Sequence, residues 1–266
     1  MGERGPKFRG PLSALLRRDR WAAVGGLAAL TLLTALQSRW VANAMMRSSS
    51  PWFVSPLARW GPAELATVGL MWGVMMVAMM TPIASPMVLT FAGLERRRLG
   101  DRGSPWWTTS SFLGGYLLLW MGFGLVMTLA QWGLHSAAML STCGMKAASS
   151  AVDAVLLASA GLFQFSSAKA ACLKHCRTPV GFLLSEWRAG MSGALVMGMR
   201  HGLYCVGCCW LLMALLFVVG VMNAAWCAVL AALVLAERLL PGGQWLARAV
   251  GVVLVLCGVG VAVAIV

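Results

Sequence analysis

Long apolar runs, interrupted at short intervals by arginine, proline and glycine, set the pattern of this chain. The runs are continuous rather than alternating, which predicts helices in lipid and not the strands of a barrel. Trp21 to Leu36 predicts a first span, close to the length of one crossing. It follows a basic segment, residues 1–20, that carries Arg4, Lys7, Arg9, Arg17, Arg18 and Arg20. A cleavable signal peptide competes, because Ala42-Asn43-Ala44 resembles a cleavage site; the long basic leader and Arg39 favour an uncleaved helix. Turn formers Ser48-Ser49-Ser50-Pro51, Pro56 and Gly61-Pro62 mark the loop after it. A second helix is predicted from Glu64 to Leu94, kinked or broken by Pro82 and Pro86, and a third from Thr108 to Leu134 behind the interfacial anchors Trp106 and Trp107. The fourth covers Ala151 to Phe165 and continues to Arg177, where Pro179 stops it. Residues 180–190 read as a polar turn. The apolar region from Gly190 to Leu240 is too long for one helix and divides at Gly220 to Asn223, giving helices near 190–219 and 223–239. Pro241-Gly242-Gly243 breaks the chain before a last helix, Gln244 to Val266.

Composition turns this pattern into a class. Of 266 residues, 60% are hydrophobic and 11% charged, with a mean hydropathy of +0.80, against about a quarter charged in a soluble domain. The expectation is an all-α polytopic transmembrane helical bundle of about seven spans, six if Gly190 to Met199 lies in the interface, with residues 21–266 as one bundle. The net charge of +13 would suggest nucleic acid in a soluble protein. Here the basic residues fall in loops between spans. Arg96, Arg97, Arg98 and Arg102, then Lys169, Lys174, Arg177 and Arg188, then Arg238 and Arg248, share one side with the N-terminal segment. Arg39, Arg47, Arg59 and Lys146 fall on the other. This bias predicts a cytoplasmic N-terminus and an outside C-terminus, with the bilayer and its anionic headgroups as partner and no role for nucleic acid.

The candidate chemistry is sulfur. On one helix His201, Cys205 and Cys209 stand at i, i+4 and i+8 and share a face, with Cys208 one position off it. On the helix before, Cys172 and Cys176 share a face and His175 flanks it. Thiolate and imidazole donors in this pattern suit a soft metal ion. Depth argues against one site using every thiol: Cys209 lies roughly 28 Å along its helix from Gly190, so a re-entrant or shifted helix would be needed. A smaller site of Cys172, Cys176 and His201, extended by Cys205, is easier to build, and a deeper one from Cys205, Cys208 and Cys209 stays open. The cysteines cluster between Cys172 and Cys227, in or beside predicted spans, which argues against a disulfide scaffold. Cys143, Cys227 and Cys257 read as small apolar residues.

Met71, Met75 and Met79 form a stripe beside Met76 and Met80. Thioethers suit Cu(I), although packing outweighs ligation as the reading of Met75, Met76, Met79 and Met80. Gly69 with Gly73, and Gly198 with Gly202, are GxxxG pairs that predict close contact of the second and fifth helices. Arg200, costly in a membrane, is a secondary candidate. Glu237-Arg238 reads as an interfacial ion pair. No GxSxG elbow or phosphate loop occurs, and no motif asks for hydrolysis or phosphoryl transfer.

Met71-Trp72 through Met79-Met80-Thr81-Pro82, Lys169 to Pro179, Gly198 to Asn223 and the pair Glu237-Arg238 carry a resemblance. Over residues 64–240 or so, the chain resembles a bacterial family of predicted metal-binding integral membrane proteins, a domain of unknown function. The resemblance implies a prokaryotic plasma (inner) membrane location and metal binding, and no known reaction. Together these observations lead to an expected function: binding, transport or delivery of a soft transition metal. Copper is favoured over zinc, and the ligands are Cys172, His175, Cys176, His201, Cys205, Cys208 and Cys209. A metallochaperone or a membrane complex is the expected protein partner. A membrane thiol–disulfide oxidoreductase using Cys205 and Cys208, and an accessory subunit of a membrane complex, are the competing classes.

Overall fold

Helices account for every regular element among the described residues, which in the computed structural model are 61–100, 104–137, 149–221, 223–240 and 242–265. The basic leader, the expected first span and Cys143 lie outside them.

The first described helix, α1, runs Pro62–Leu99. Pro62 opens it where a missing N–H does no harm, and the Glu64 carboxylate accepts from the Gly61 N–H at 2.9 Å. Of the kink or break expected at Pro82 and Pro86, the break does not occur; both lie inside the helix. Pro86 cannot donate to the Pro82 carbonyl, and the Ser85 hydroxyl donates to it instead at 2.7 Å, so the freed acceptor is satisfied within the segment. Next come α2 (Trp106–Ser136), with Trp106 and Trp107 exposed at its start, and α3 (Ser150–Phe163).

The fourth expected helix is not continuous. It stops at Phe163 and restarts as α4 (Ser167–Arg177) after a 63° bend. Ser166 caps the restart, accepting from the Lys169 N–H at 3.1 Å as an N-cap serine does. The expected polar turn is a short helix, α5 (Pro179–Glu186), whose Phe182 and Leu183 are buried. Then follow α6 (Gly190–Ala214), α7 (Leu216–Val219), α8 (Ala224–Leu239) and α9 (Gly243–Val263). The division expected near Gly220 is present. Gly220 has φ 95°, which favours glycine, and the Asn223 side chain accepts from the N–H groups of Ala225 and Trp226.

Among the described residues, four helical stretches are long and apolar enough to cross a membrane: α1, α2, Gly190–Val219 and α9. The bent pair α3–α4 makes a fifth if it counts as one span. The helix α8, 16 residues, extends roughly 24 Å at 1.5 Å per residue, short of a core of about 30 Å.

The glycine pairs do bring helices together, but not the expected two. A Cβ on Gly198 would overlap the Phe112 carbonyl oxygen, and one on Gly202 would sit 3.2 Å from Leu119 Cβ, both on α2. From the other side, α1 meets α2 where Gly124 lies against the Gly73 backbone. Thus α2 receives both α1 and α6, and the α1–α6 contact expected from the glycines is replaced by two contacts through α2. Gly198→Ala therefore lowers the unfolding midpoint in detergent, by about 1–3 kcal/mol of overpacking. Gly73→Ala, with nothing within 4 Å of the new methyl, leaves it unchanged or raised.

Candidate metal centre

The inner face of α6 carries the site. His201, Cys205, Cys208 and Cys209 are all buried, none more than 2% exposed. The bend before α4 settles the depth problem. It lays α4 along α6, so that Cys172 Sγ presses on Gly207, where a Cβ would come within 2.8 Å of it. Cys176 is buried beside Cys208. Thiols from two helices therefore meet at one level, which an unbroken helix to Arg177 could not achieve. Cys208 and Cys209 donate their thiol protons to the Cys205 carbonyl at 3.1 and 3.0 Å, which keeps all three sulfurs close to one turn of α6.

Two residues that the sequence does not assign to the site complete the cluster. Arg238 of α8 is 7% exposed, and its Nη2 lies 2.8 Å from Cys205 Sγ and 3.3 Å from Cys208 Sγ. Tyr116 of α2, fully buried, places its hydroxyl 3.0 Å from Cys205 Sγ and 3.4 Å from the Met80 carbonyl of α1. One phenol thus connects α1, α2 and α6 at the sulfur cluster. Arg238 could have been flagged by the rule that an ionisable residue inside an apolar segment is functional until shown otherwise. Tyr116, one tyrosine in an apolar helix, carries no such mark.

The interfacial pair expected between Glu237 and Arg238 does not form, because consecutive residues on a helix point in different directions. Glu237 turns instead to Lys169 at 2.6 Å and accepts from Gln164 Nε2 at 3.3 Å, and Lys169 also donates to Gln164 Oε1. Both ions are 2% exposed. This buried pair ties the bend between α3 and α4 to the end of α8, and so fixes the side chain next to Glu237. Among the described residues no carboxylate pairs with Arg238. A guanidinium keeps its charge, and a charge in an apolar core needs a partner of opposite sign, so the sulfurs are the groups within reach.

His201 is 1% exposed, and neither ring nitrogen has a hydrogen-bond partner. Its ring lies between those of Phe112, Tyr116 and Phe182, with centroids 5.5–6.3 Å away. It lines a cavity of about 200 Å³ together with Cys176 and Arg238. His175 is elsewhere: it stacks on Tyr204 at 4.3 Å, with Nδ1 3.0 Å from the Ala171 carbonyl. Arg200 pairs with Glu186 and is half exposed, pointing out of the site. Met76, Met79 and Met80 belong to the same buried core as Cys205, Cys208 and Cys209. Met75 Sδ sits 3.7 Å from Cys227 Sγ. Among the described residues no three His, Cys, Asp or Glu side chains stand ready as a metal cage.

The fold and site define a bundle of span-length apolar helices with sulfur gathered around one cation in its core. Residues 69–261 match the PpoB2 family, described as a copper chaperone, and the chain belongs to that family. No curated protein and no solved structure matches it.

The Lys169–Glu237 pair makes a checkable claim. Lys169→Met leaves a carboxylate buried without its ammonium and lowers stability by about 3–5 kcal/mol, while adding Glu237→Leu recovers most of the loss. Unfolding of the two variants in graded denaturing detergent measures it.

Proposed function

We propose that this protein carries Cu(I) as cargo within a prokaryotic plasma membrane, binding it through Cys205 and Cys208 with Cys176 beside them, and passes it to a protein acceptor. The observation that carries this reading is a monovalent cation, the Arg238 guanidinium, held against two buried thiol sulfurs. Cu(I) is also monovalent, and thiolate and thioether donors select it.

Charge supports the same assignment. Thiols lose their protons when a metal binds, so Cu(I) between a pair of thiolates forms an anionic unit. Arg238 beside that unit brings the local charge to neutrality, which an apolar core requires. A closed zinc site would take four ligands, and among the described residues no three such side chains stand together, so zinc suits this core less well. Cys209 and Cys172 flank the proposed ligands, and the unpartnered nitrogens of His201 can accept the ion from the cavity side. His175, held against Tyr204, stands apart from the ligand set, and Met76, Met79 and Met80 supply a soft surround. The basic ends of α1 and α4, with Arg96 to Arg98 and Arg177, are assigned to the cytoplasmic side. A metallochaperone or a membrane complex is the proposed partner.

The same contact of Arg238 with both sulfurs favours a second reading, thiol–disulfide exchange between Cys205 and Cys208, which requires alkylation of these thiols to change with redox conditions. Anaerobic titration of purified protein with Cu(I) against a chromophoric competitor separates the two. Cys205→Ser and Cys208→Ser weaken binding by more than about 100-fold, and Arg238→Met, removing only the counter-charge, by about 10- to 100-fold. Cys257→Ser, at an exposed thiol, serves as the reference. Equal copper retention in all four overturns the reading.

A further inference from the structure

The walls of the cavity beside His201 restrict what can use it. Four of its lining residues bear on chemistry: Cys176, Arg177, His201 and Arg238. The others are apolar, and no carboxylate is among them. Arg177 crosses from the end of α4 to the end of α8, where its Nη2 donates to the Leu240 carbonyl at 2.6 Å. Three buried polar atoms at this cavity's residues have no hydrogen-bond partner, namely both nitrogens of His201 and Nε of Arg238. Unsatisfied groups of this kind mark a place where a polar ligand belongs.

From these walls we infer that copper arrives as an anionic complex of Cu(I) with a small thiol, received in this cavity and transferred there to Cys176. The inference rests on the copper reading above and adds the chemical form of the substrate. A bare cation meets two guanidinium groups and no carboxylate, which repels it. A Cu(I)–thiolate complex carries negative charge and finds complementary potential. Size points the same way. At about 200 Å³ the space is below the range of about 300–1,000 Å³ for drug-sized ligands, so it admits a copper ion with small thiolate arms and excludes a protein domain.

The transfer is a ligand exchange. The Cys176 sulfur bonds to copper as one carrier sulfur leaves. The proton lost by Cys176 goes to the departing carrier thiolate, and copper stays at +1 with no electron moved. Cys176 lies beside Cys208, and Arg238 both lines the cavity and touches Cys205 and Cys208. The ion therefore moves from the cavity wall to the buried pair without crossing an apolar gap.

The test compares Cu(I) uptake by the full chain from complexes of two thiols of similar small size, one with anionic thioglycolate and one with cationic cysteamine, each followed by stopped-flow at low and high salt. The ratio of the two rates within one protein cancels differences in carrying capacity between variants. The wild type takes copper at least tenfold faster from thioglycolate at low salt, and the ratio falls toward unity as salt screens the cavity. Arg177→Glu lowers the ratio at low salt, and Arg177→Gln lowers it less. A ratio near unity in the wild type at low salt, with full copper capacity, overturns the cavity assignment while the copper reading stands. Failure of the wild type to hold copper from either carrier overturns both.

Discussion

A guanidinium held by sulfur inside an apolar bundle is the constraint around which the rest is arranged. Arg238, 7% exposed, brings a permanent charge into this core and holds it against Cys205 and Cys208, the first of which also meets the phenol of Tyr116. Burying one ion without a partner is expensive, and burying a satisfied pair is roughly neutral. The copper site proposed for these thiols gives such a contact a use other than stability.

The surrounding architecture keeps this contact in place. Glycines on α6 bring its backbone against α2, which sets Tyr116 opposite Cys205. The bend at Gln164 to Ser166 turns α4 along α6 and delivers Cys176 to Cys208. The buried Lys169–Glu237 pair then fixes the same bend to α8, one residue from Arg238. Each device acts on a different helix, and each brings a polar or sulfur group to the same small volume. His201 and Arg238, which keep polar atoms without a hydrogen-bond partner, line the cavity beside that volume.

Much of this was legible in the chain. Long apolar runs and their Gly-Pro punctuation locate α1, α2, α6 and α9, and Gly220 with Asn223 marks the break before α8, because span length and turn chemistry are local properties. The i, i+4 thiol spacing likewise puts Cys205 and Cys209 on the buried face. What was not legible depends on tertiary contact. Gln164-Phe165-Ser166-Ser167 contains no glycine or proline, so its bend shows only once Lys169 has a buried carboxylate to reach. Glu237 and Arg238 look like one pair in sequence, yet the helix sends them to different partners. GxxxG spacing identifies a close contact without naming its second helix. His175 follows the spacing of ligands and Arg200 stands out as a charge costly in a membrane, and they are withdrawn by Tyr204 and Glu186, neither of which sequence spacing connects to them.

The most direct measurement is X-ray absorption at the copper edge on anaerobically loaded protein. The expected result is Cu(I) with sulfur as its dominant neighbours, and a sulfur shell that thins when Cys205 and Cys208 are both replaced by serine. A shell of oxygen and nitrogen alone, or one indifferent to that double replacement, contradicts it.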